Sequence, residues 1–262
     1  MLAIETEGLT RRFDGRLAVE ELSLAVPEGA FYGFLGPNGA GKSTTIKMLT
    51  GLLAPTSGRA RVLGIDLAKD PLAVKRQVGV VPDGLGLFER LSGAEQLRIH
   101  AQLYGLERKE AARRADELLA ALELGEHAGK LVSGYSHGMK KKLALGCALI
   151  HGPRLLFLDE PFEGIDAVAV NGIRRMLQDL VARRAMTIFL TSHVLEVVER
   201  LVTHVGIVRQ GRLAAQGTLE EVRGQASLED VFIRTVGEER EQKPLSWLGP
   251  SLDTVLPVPR TG

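Results

Sequence analysis

The segment GPNGAGKSTT at residues 36–45 restricts the fold of this chain more than any other feature of the sequence. It follows the apolar run FYGFL, which is typical of a short strand buried on both faces. It leads into TTIKMLTGLL, whose apolar spacing is helical, so the order is strand, glycine-rich loop and helix. Glycines let successive N–H groups point inward at an anion, and the helix N-terminus adds unpaired donors. This arrangement predicts a cradle for the phosphates of a nucleoside triphosphate.

The polar side chains that end this loop extend the prediction to a divalent metal ion. Lys42 brings a positive charge to the outer phosphates, and the Ser43 hydroxyl can ligate the Mg²⁺ that accompanies them. The alternative is a glycine-rich turn that matches the pattern G-x-x-x-x-G-K-S by accident. An accidental match would not require a strand before it and a helix after it, and both are predicted here. The residues expected to bind the nucleotide here are Gly36, Pro37, Asn38, Gly39, Ala40, Gly41, Lys42, Ser43 and Thr44.

The composition is that of a globular protein and argues against several function classes. With 262 residues, of which 45% are hydrophobic and 25% charged, the chain can form one large or two modest units. A net charge of +1 without a clustered basic face argues against nucleic acid as a partner. The sequence has neither a secretory signal pattern nor a run of about 18 apolar residues, so we expect a soluble chain. The single cysteine, Cys147, lies in an apolar helical segment, where we expect a core residue in a reducing compartment.

Secondary-structure patterns divide the chain into strand-rich and helix-rich parts. Residues 1–35 are typical of short strands and turns, whereas 83–150 is mostly helical, with KEAARRADELLAALEL the clearest helix. After residue 150, apolar strand patterns alternate with helical segments, which predicts a parallel sheet in an α/β fold. Residues 236–262 are rich in charge and then in proline and glycine, so we expect a flexible tail.

Two of the later strands end in residues that can do chemistry on a phosphate. In LLFLDEP, Asp159 is placed to hold Mg²⁺ through a water, and Glu160 could polarise the water that attacks the γ-phosphorus. The strand pattern TIFLTSH ends at His193, which could bond the γ-phosphate or that water. The alternatives are a solvated acidic strand end and an ordinary surface or core histidine.

The order of GPNGAGKSTT, GYSHGMKKKLALGCALI, LLFLDEPFEGID and TSH resembles the nucleotide-binding domain of ATP-binding cassette (ABC) transporters over residues 1–235. The resemblance implies binding and hydrolysis of ATP with Mg²⁺. It also implies an α/β P-loop NTPase fold with a RecA-like core, an N-terminal antiparallel β subdomain and an inserted helical subdomain. On this basis the core is expected at 1–82 and 151–225, and the helical subdomain at 83–150.

The resemblance assigns further residues to ATP. The segment YSHGM stands where the family has its LSGGQ signature, so Ser136 and Gly138 would cover the γ-phosphate held by a partner in a head-to-tail dimer with two bound ATPs. Ser136 can also cap a helix that begins near Met139. Phe13 stands where the family stacks an aromatic ring on adenine, although such a residue, taken alone, more often belongs to the core. Asp166 matches the D-loop aspartate, which contacts the opposite subunit.

The sequence departs from the family pattern at two positions. Asp83 stands where the family usually has glutamine; its carboxylate can still ligate water or Mg²⁺. Met139 replaces the glutamine of the signature. With the ending SLEDVF, these features resemble the subunits that serve exporters of drugs, antibiotics or lipids. The lysines KKK at 140–142 are expected on a solvated helix face.

The resemblance therefore implies an ATPase that powers a separate transmembrane permease and works as an ATP-dependent homodimer. It would be cytoplasmic and meet the inner face of the cell membrane only through that permease, with the helical segment after Asp83 as the relay. Two alternatives stay open: a soluble cassette ATPase that acts on ribosomes or DNA, and a regulatory nucleotide-binding module without turnover. Co-purifying nucleic acid would favour the first, and the absence of phosphate release would favour the second.

Overall fold

An antiparallel sheet forms from the N-terminal part of the chain in the computed structural model, which describes residues 1–184 and 186–237. Along β1, apolar side chains such as Ile4 and Leu9 are buried, and the buried Thr6 hydroxyl donates to the Leu22 carbonyl at 2.8 Å. The sheet order is β2-β1-β5-β6, with β3 also paired to β1. Its strands are β1 (Leu2–Phe13), β2 (Arg16–Leu22), β3 (Ala25–Pro27), β5 (Ser57–Val62) and β6 (Ile65–Asp66).

A second sheet of six strands carries the later part of the chain, in the order β11-β10-β4-β9-β8-β7. All of its pairings are parallel except that of β10 with β11, so the parallel sheet predicted from the sequence is confirmed. Every residue of β4, β8 and β9 is buried, as continuous apolar strands require. The strands are β4 (Phe31–Leu35), β7 (Val78–Val81), β8 (Leu155–Asp159), β9 (Thr187–Ser192), β10 (His204–Arg209) and β11 (Arg212–Thr218).

Helices connect and cover these strands. Three of them, α3, α4 and α5, follow one another within 83–150, where a helical insert was expected; the division of the chain into subdomains stays a prediction. Within the described residues, no helix combines the length and apolarity needed to cross a bilayer. The helices are α1 (Lys42–Leu49), α2 (Pro71–Lys75), α3 (Gly93–Leu103), α4 (Arg108–Ala121), α5 (His137–Leu149), α6 (Ala167–Arg184), α7 (Leu195–Glu199), α8 (Leu219–Arg223) and α9 (Leu228–Val236).

The expected tail at 236–262 lies outside the described residues, apart from its first two positions. In the helix predicted from KEAARRADELLAALEL, Leu119 and the following Leu122 are buried, Leu118 is half-buried, and Arg114 bonds Glu110 at 2.7 Å.

Two hydrophobic clusters lie on opposite faces of the six-stranded sheet. Phe31 and Leu35 of β4 pack into the cluster that contains α3, α4 and α5, whereas Tyr32 and Phe34 pack towards the antiparallel sheet. This division follows from the alternation of side chains along a strand. Cys147 is buried in the first cluster at 6% exposure, and burial raises the pKa of its thiol to about 12. The expectation that Cys147 is a core residue is confirmed.

Candidate functional site

Four neighbouring parallel strands end at one edge of the sheet, and each is followed within two residues by a residue predicted to act on the nucleotide. The phosphate loop follows β4, His193 follows β9, Glu160 follows β8, and Asp83 comes two residues after β7. Because β4, β9, β8 and β7 are consecutive in the sheet and parallel, their carboxyl ends meet. Parallel sheets bind their ligands at such an edge.

A cavity of about 440 Å³ lies at this edge. Most of the loop residues predicted to bind phosphates line it, together with Asp83, Glu160 and His193. Ala18 and Glu163 also line it, and the sequence analysis assigned neither of them; Glu163 stands only three residues after Glu160 in the same turn. The lining residues are Ala18, Pro37, Asn38, Gly39, Gly41, Lys42, Ser43, Thr44, Asp83, Glu160, Glu163 and His193.

The glycines of the loop are required by close contacts as well as by backbone conformation. A Cβ atom on Gly36 would lie 2.5 Å from the Val208 carbonyl oxygen, and one on Gly41 would lie 2.4 Å from that of Ala18. Gly41 also has φ +101 and Gly39 has φ +80, in the left-handed region that favours glycine. The first turn of α1 receives no side-chain cap, so its N–H groups can bind an anion.

Lys42 and Glu160 form a largely buried ion pair across the cavity. The lysine Nζ lies 3.6 Å from Glu160 Oε1, with side-chain exposures of 7% and 12%. The same Nζ donates to the Gly36 carbonyl at 2.7 Å. The other carboxylate oxygen of Glu160 accepts the backbone N–H of His193 at 3.1 Å and lies 3.0 Å from His193 Nδ1. The structure therefore brings Glu160 and His193, the two residues predicted to be catalytic, into contact, and Glu160 also pairs with Lys42, which was predicted to bind the outer phosphates.

Asp159, predicted to hold Mg²⁺, presents a well-oriented carboxylate at the end of β8. The side chain is 6% exposed, and its Oδ1 accepts the Thr191 hydroxyl at 2.6 Å, which fixes its orientation. Its second oxygen has no hydrogen-bond partner among the described residues, and Ser43 is exposed at the start of α1. Mg²⁺ prefers one or two protein oxygens with phosphates and waters. Within the described residues, no group of three or more His, Cys, Asp or Glu side chains is arranged to hold a metal ion.

The signature residues lie on a different surface from this cavity. The Ser136 hydroxyl caps α5 by accepting the Met139 N–H at 3.2 Å, and the helix begins at His137, two residues before the predicted start. Gly138 faces Asp166, whose Oδ2 would lie 4.0 Å from a Cβ atom on the glycine. None of Ser136, Gly138 and Asp166 lines the cavity of the same chain.

The comparison with known proteins decides the family. A family model described as ABC transporter matches residues 19–163, which is more than half of the chain. The chain belongs to the ABC transporter family. As a member of that family it is an ATP-binding and ATP-hydrolysing cassette that uses Mg²⁺.

Relatives and solved structures support this assignment over most of the chain. The bacitracin transport ATP-binding protein BcrA of Bacillus licheniformis is 40% identical over 84% of this chain and 69% of its own length. The daunorubicin/doxorubicin resistance ATP-binding protein DrrA of Streptomyces peucetius is 39% identical over 84% and 67%. The solved ATP-binding subunit of an ABC transporter has a TM-score of 0.82 and 33% identity, covering 90% of this chain and 99% of that one. The predicted P-loop NTPase fold is confirmed.

For Phe13 in this ABC cassette, the alternative of a core position is wrong. Phe13 is 42% exposed at the end of β1, so it does not belong to the core. The Arg11 guanidinium lies over its ring, 4.5 Å from the centroid. Phe13 does not line the cavity itself, and its role with adenine stays a prediction.

The expectation for the three lysines at 140–142 is partly wrong. Lys140 and Lys142 are partly exposed and pair with Glu89 and Glu123 at 2.9 Å and 2.6 Å. Lys141 is only 3% exposed. The spacing of Lys141 with Ala144, Leu145 and Ala148 could have indicated this, because residues three, four and seven apart share one face of a helix.

Proposed function

We propose that this cassette is the ATP-binding subunit that powers a separate transmembrane permease exporting a drug, an antibiotic or a lipid-like compound. The names of the relatives support the export of such compounds, because BcrA is a bacitracin transport protein and DrrA a daunorubicin and doxorubicin resistance protein. The observation that carries the catalytic part is the contact of Glu160 with both Lys42 and His193 at the ends of parallel strands.

Glu160 accepts the proton of the attacking water in this proposal. A carboxylate held at the edge of the phosphate cavity can orient a water towards the γ-phosphorus and take its proton. His193 fixes the carboxylate through two contacts to the same oxygen, Oε2. Lys42 neutralises charge on the outer phosphates, and the loop N–H groups with the free first turn of α1 bind the remaining oxygens.

The metal would be held by few protein atoms. Ser43 would ligate it directly, and Asp159 and Asp83 would hold it through water. When bound, Mg²⁺ neutralises charge that develops on the phosphate oxygens. The Thr191 hydroxyl keeps the Asp159 carboxylate in one orientation for this task.

Two copies of the chain would complete each ATP site. Ser136 and Gly138 do not line the cavity of their own chain, which supports their binding to ATP held by a second copy in a head-to-tail dimer. Asp166 lies beside Gly138 and would contact the opposite subunit. The cassette would work at the cytoplasmic face of the cell membrane, with α3, α4 and α5 as the relay to the permease.

Purification of the tagged chain from detergent extracts of its own cells tests this proposal. We expect one integral membrane protein to co-purify in a fixed ratio. Ribosomal RNA or DNA in place of such a protein would contradict the proposal.

A resistance assay with bacitracin and daunorubicin adds the functional readout. Cells with the Glu160→Gln chain should keep the complex but lose resistance to an exported compound, since binding survives while turnover stops. Equal resistance in cells with the unchanged chain and in cells with the Glu160→Gln chain would show that hydrolysis at this site does not drive export.

A further inference from the structure

Lys141 is a buried cation that the proposed function does not use. It lies in the middle of α5 at 3% exposure, and its Nζ donates to the backbone carbonyl oxygen of Glu160 at 2.5 Å. A buried ammonium costs free energy unless it is paired and hydrogen-bonded. Burial lowers the pKa of Lys141, and nearby carboxylates oppose this shift. They are Asp83, Glu163, Glu160 and Asp159.

The carbonyl that Lys141 binds belongs to a residue in an uncommon backbone conformation. Glu160 has φ +49, in the left-handed region, which residues other than glycine adopt only when neighbouring contacts hold them there. Its N–H group bonds the Thr191 carbonyl on β9 at 3.2 Å. Its carbonyl is bound by Lys141 on α5. The backbone N–H and carbonyl of Glu160 are thus tied to two different elements, which hold the backbone from which its carboxylate projects.

The helix that carries Lys141 also carries the capped end described above. Ser136 caps α5, and five residues separate it from Lys141, which is about 7.5 Å along a helix axis. A helix moves as a rigid body over such a distance. A displacement at Ser136 would therefore reach the Glu160 carbonyl through Lys141.

We propose that Lys141 is a positioning residue for ATP hydrolysis, which holds Glu160 by its backbone carbonyl and links it to the Ser136 end of α5. This inference rests on the proposed role of Glu160 as the proton acceptor. Lys141 does not line the nucleotide cavity, and its hydrogen bond to the Glu160 carbonyl is the contact through which it would act.

The flanking lysines provide matched controls for the test. Lys140 and Lys142 have the same side chain on the same helix, but they pair with Glu89 and Glu123 outside the cavity. Methionine is the replacement at each position, because it has a similar length and no charge and packs well in a core.

Steady-state ATP hydrolysis and equilibrium ATP binding are measured on the full-length chain and its variants. For Lys141→Met we expect kcat to fall about tenfold or more while the Kd for ATP changes less than about twofold. Lys140→Met and Lys142→Met should stay within about twofold in both quantities. Lys141→Arg should recover part of kcat, since it restores a cationic donor. An unchanged kcat in folded Lys141→Met would overturn the inference.

A double-mutant cycle separates positioning from a general effect on the fold. If Lys141 acts through Glu160, adding Lys141→Met to Glu160→Gln should cause no further loss of the residual turnover. Losses that multiply would overturn the inference. If Glu160→Gln alone keeps full turnover, the proposed function of Glu160 fails instead.

A folding failure is also decisive. Lys141→Leu, which also removes both the charge and the hydrogen-bond donor and suits a core, replaces Lys141→Met if the latter does not fold, and the same criteria apply. Failure of both to fold would assign Lys141 to the stability of the core and overturn the positioning role.

Discussion

At the scale of single residues, the cavity for phosphates contains a negative charge of its own. The Glu160 carboxylate occupies the edge where an anionic ligand must bind, and it is accommodated by the nearby Lys42 ammonium. In the proposed site, this one lysine would therefore face both the carboxylate and the outer phosphates.

Phe13 belongs to the same scale, and its exposed ring makes adenine stacking directly testable. Phe13→Ala should weaken the binding of ATP and GTP alike by about 1 to 3 kcal/mol, because every base presents a π face. Phe13→Tyr should be nearly neutral, since it keeps the ring. Calorimetry of nucleotide binding gives both values. Unchanged affinity in Phe13→Ala would remove the ring from the adenine site.

At the scale of elements, the strands could be predicted and the helix contacts could not. Continuous apolar runs in the sequence predicted β4, β8 and β9. The residues that follow these strands lie close together because the carboxyl ends of parallel strands share one edge of the sheet. The burial of Lys141 depends on how α5 packs against the end of β8, a contact between residues far apart in sequence. The start of α5 also differed, because the Ser136 cap admits His137 and Gly138 to the first turn.

The junction of α3 with the end of α5 contains a histidine held neutral by burial. His151 stacks on Tyr104 with ring centroids 3.7 Å apart, and its Nε2 lies 3.1 Å from the Val78 carbonyl oxygen, which makes Nε2 the protonated nitrogen. Burial lowers the pKa of His151 to about 4, and the charges of Arg114 and His100 add to this shift. The unfolded chain binds this proton near pH 6.5, so acid favours unfolding.

The free energy of unfolding should therefore fall as the pH is lowered from about 6.5 towards 4. His151→Phe keeps an aromatic ring that cannot titrate, so its stability should decrease less over the same range. Urea unfolding at pH 7 and pH 5 should reveal a difference between the two chains of about 1 kcal/mol in this decrease, allowing for partial solvent screening. Parallel pH profiles would mean that His151 titrates normally in the folded chain.

At the scale of the whole molecule, the residues predicted to bind ATP divide into two separate surfaces. One surface is the cavity at the strand ends, and the other is the Ser136 and Gly138 end of α5 beside Asp166. The sequence motifs identified members of both surfaces, but not that Glu163 would line the cavity. In the proposed two-fold dimer, the Ser136 and Gly138 surface of each chain would face the cavity of the other chain.

The separation of the predicted ATP-binding residues into two surfaces predicts an ATP-dependent dimer. Glu160→Gln should bind ATP without turning it over, so that the closed dimer accumulates, and ADP should not replace ATP. Size-exclusion chromatography with light scattering should show twice the monomer mass with ATP alone. Adding Ser136→Arg should abolish the dimer by blocking the signature surface, while ATP affinity of the monomer stays unchanged. A Glu160→Gln chain that remains monomeric at saturating ATP would mean that closure needs the permease.

The buried position of Cys147 makes this chain convenient for site-directed labelling. It is the single cysteine of the sequence, and its raised thiol pKa leaves very little thiolate at neutral pH, the form that reacts with maleimides and methanethiosulfonates. New cysteines at exposed positions such as Leu52 and Leu103 can therefore carry spin labels or fluorophores without removal of the natural one. Distances between labels on two protomers can then be followed in a chain that keeps its native core.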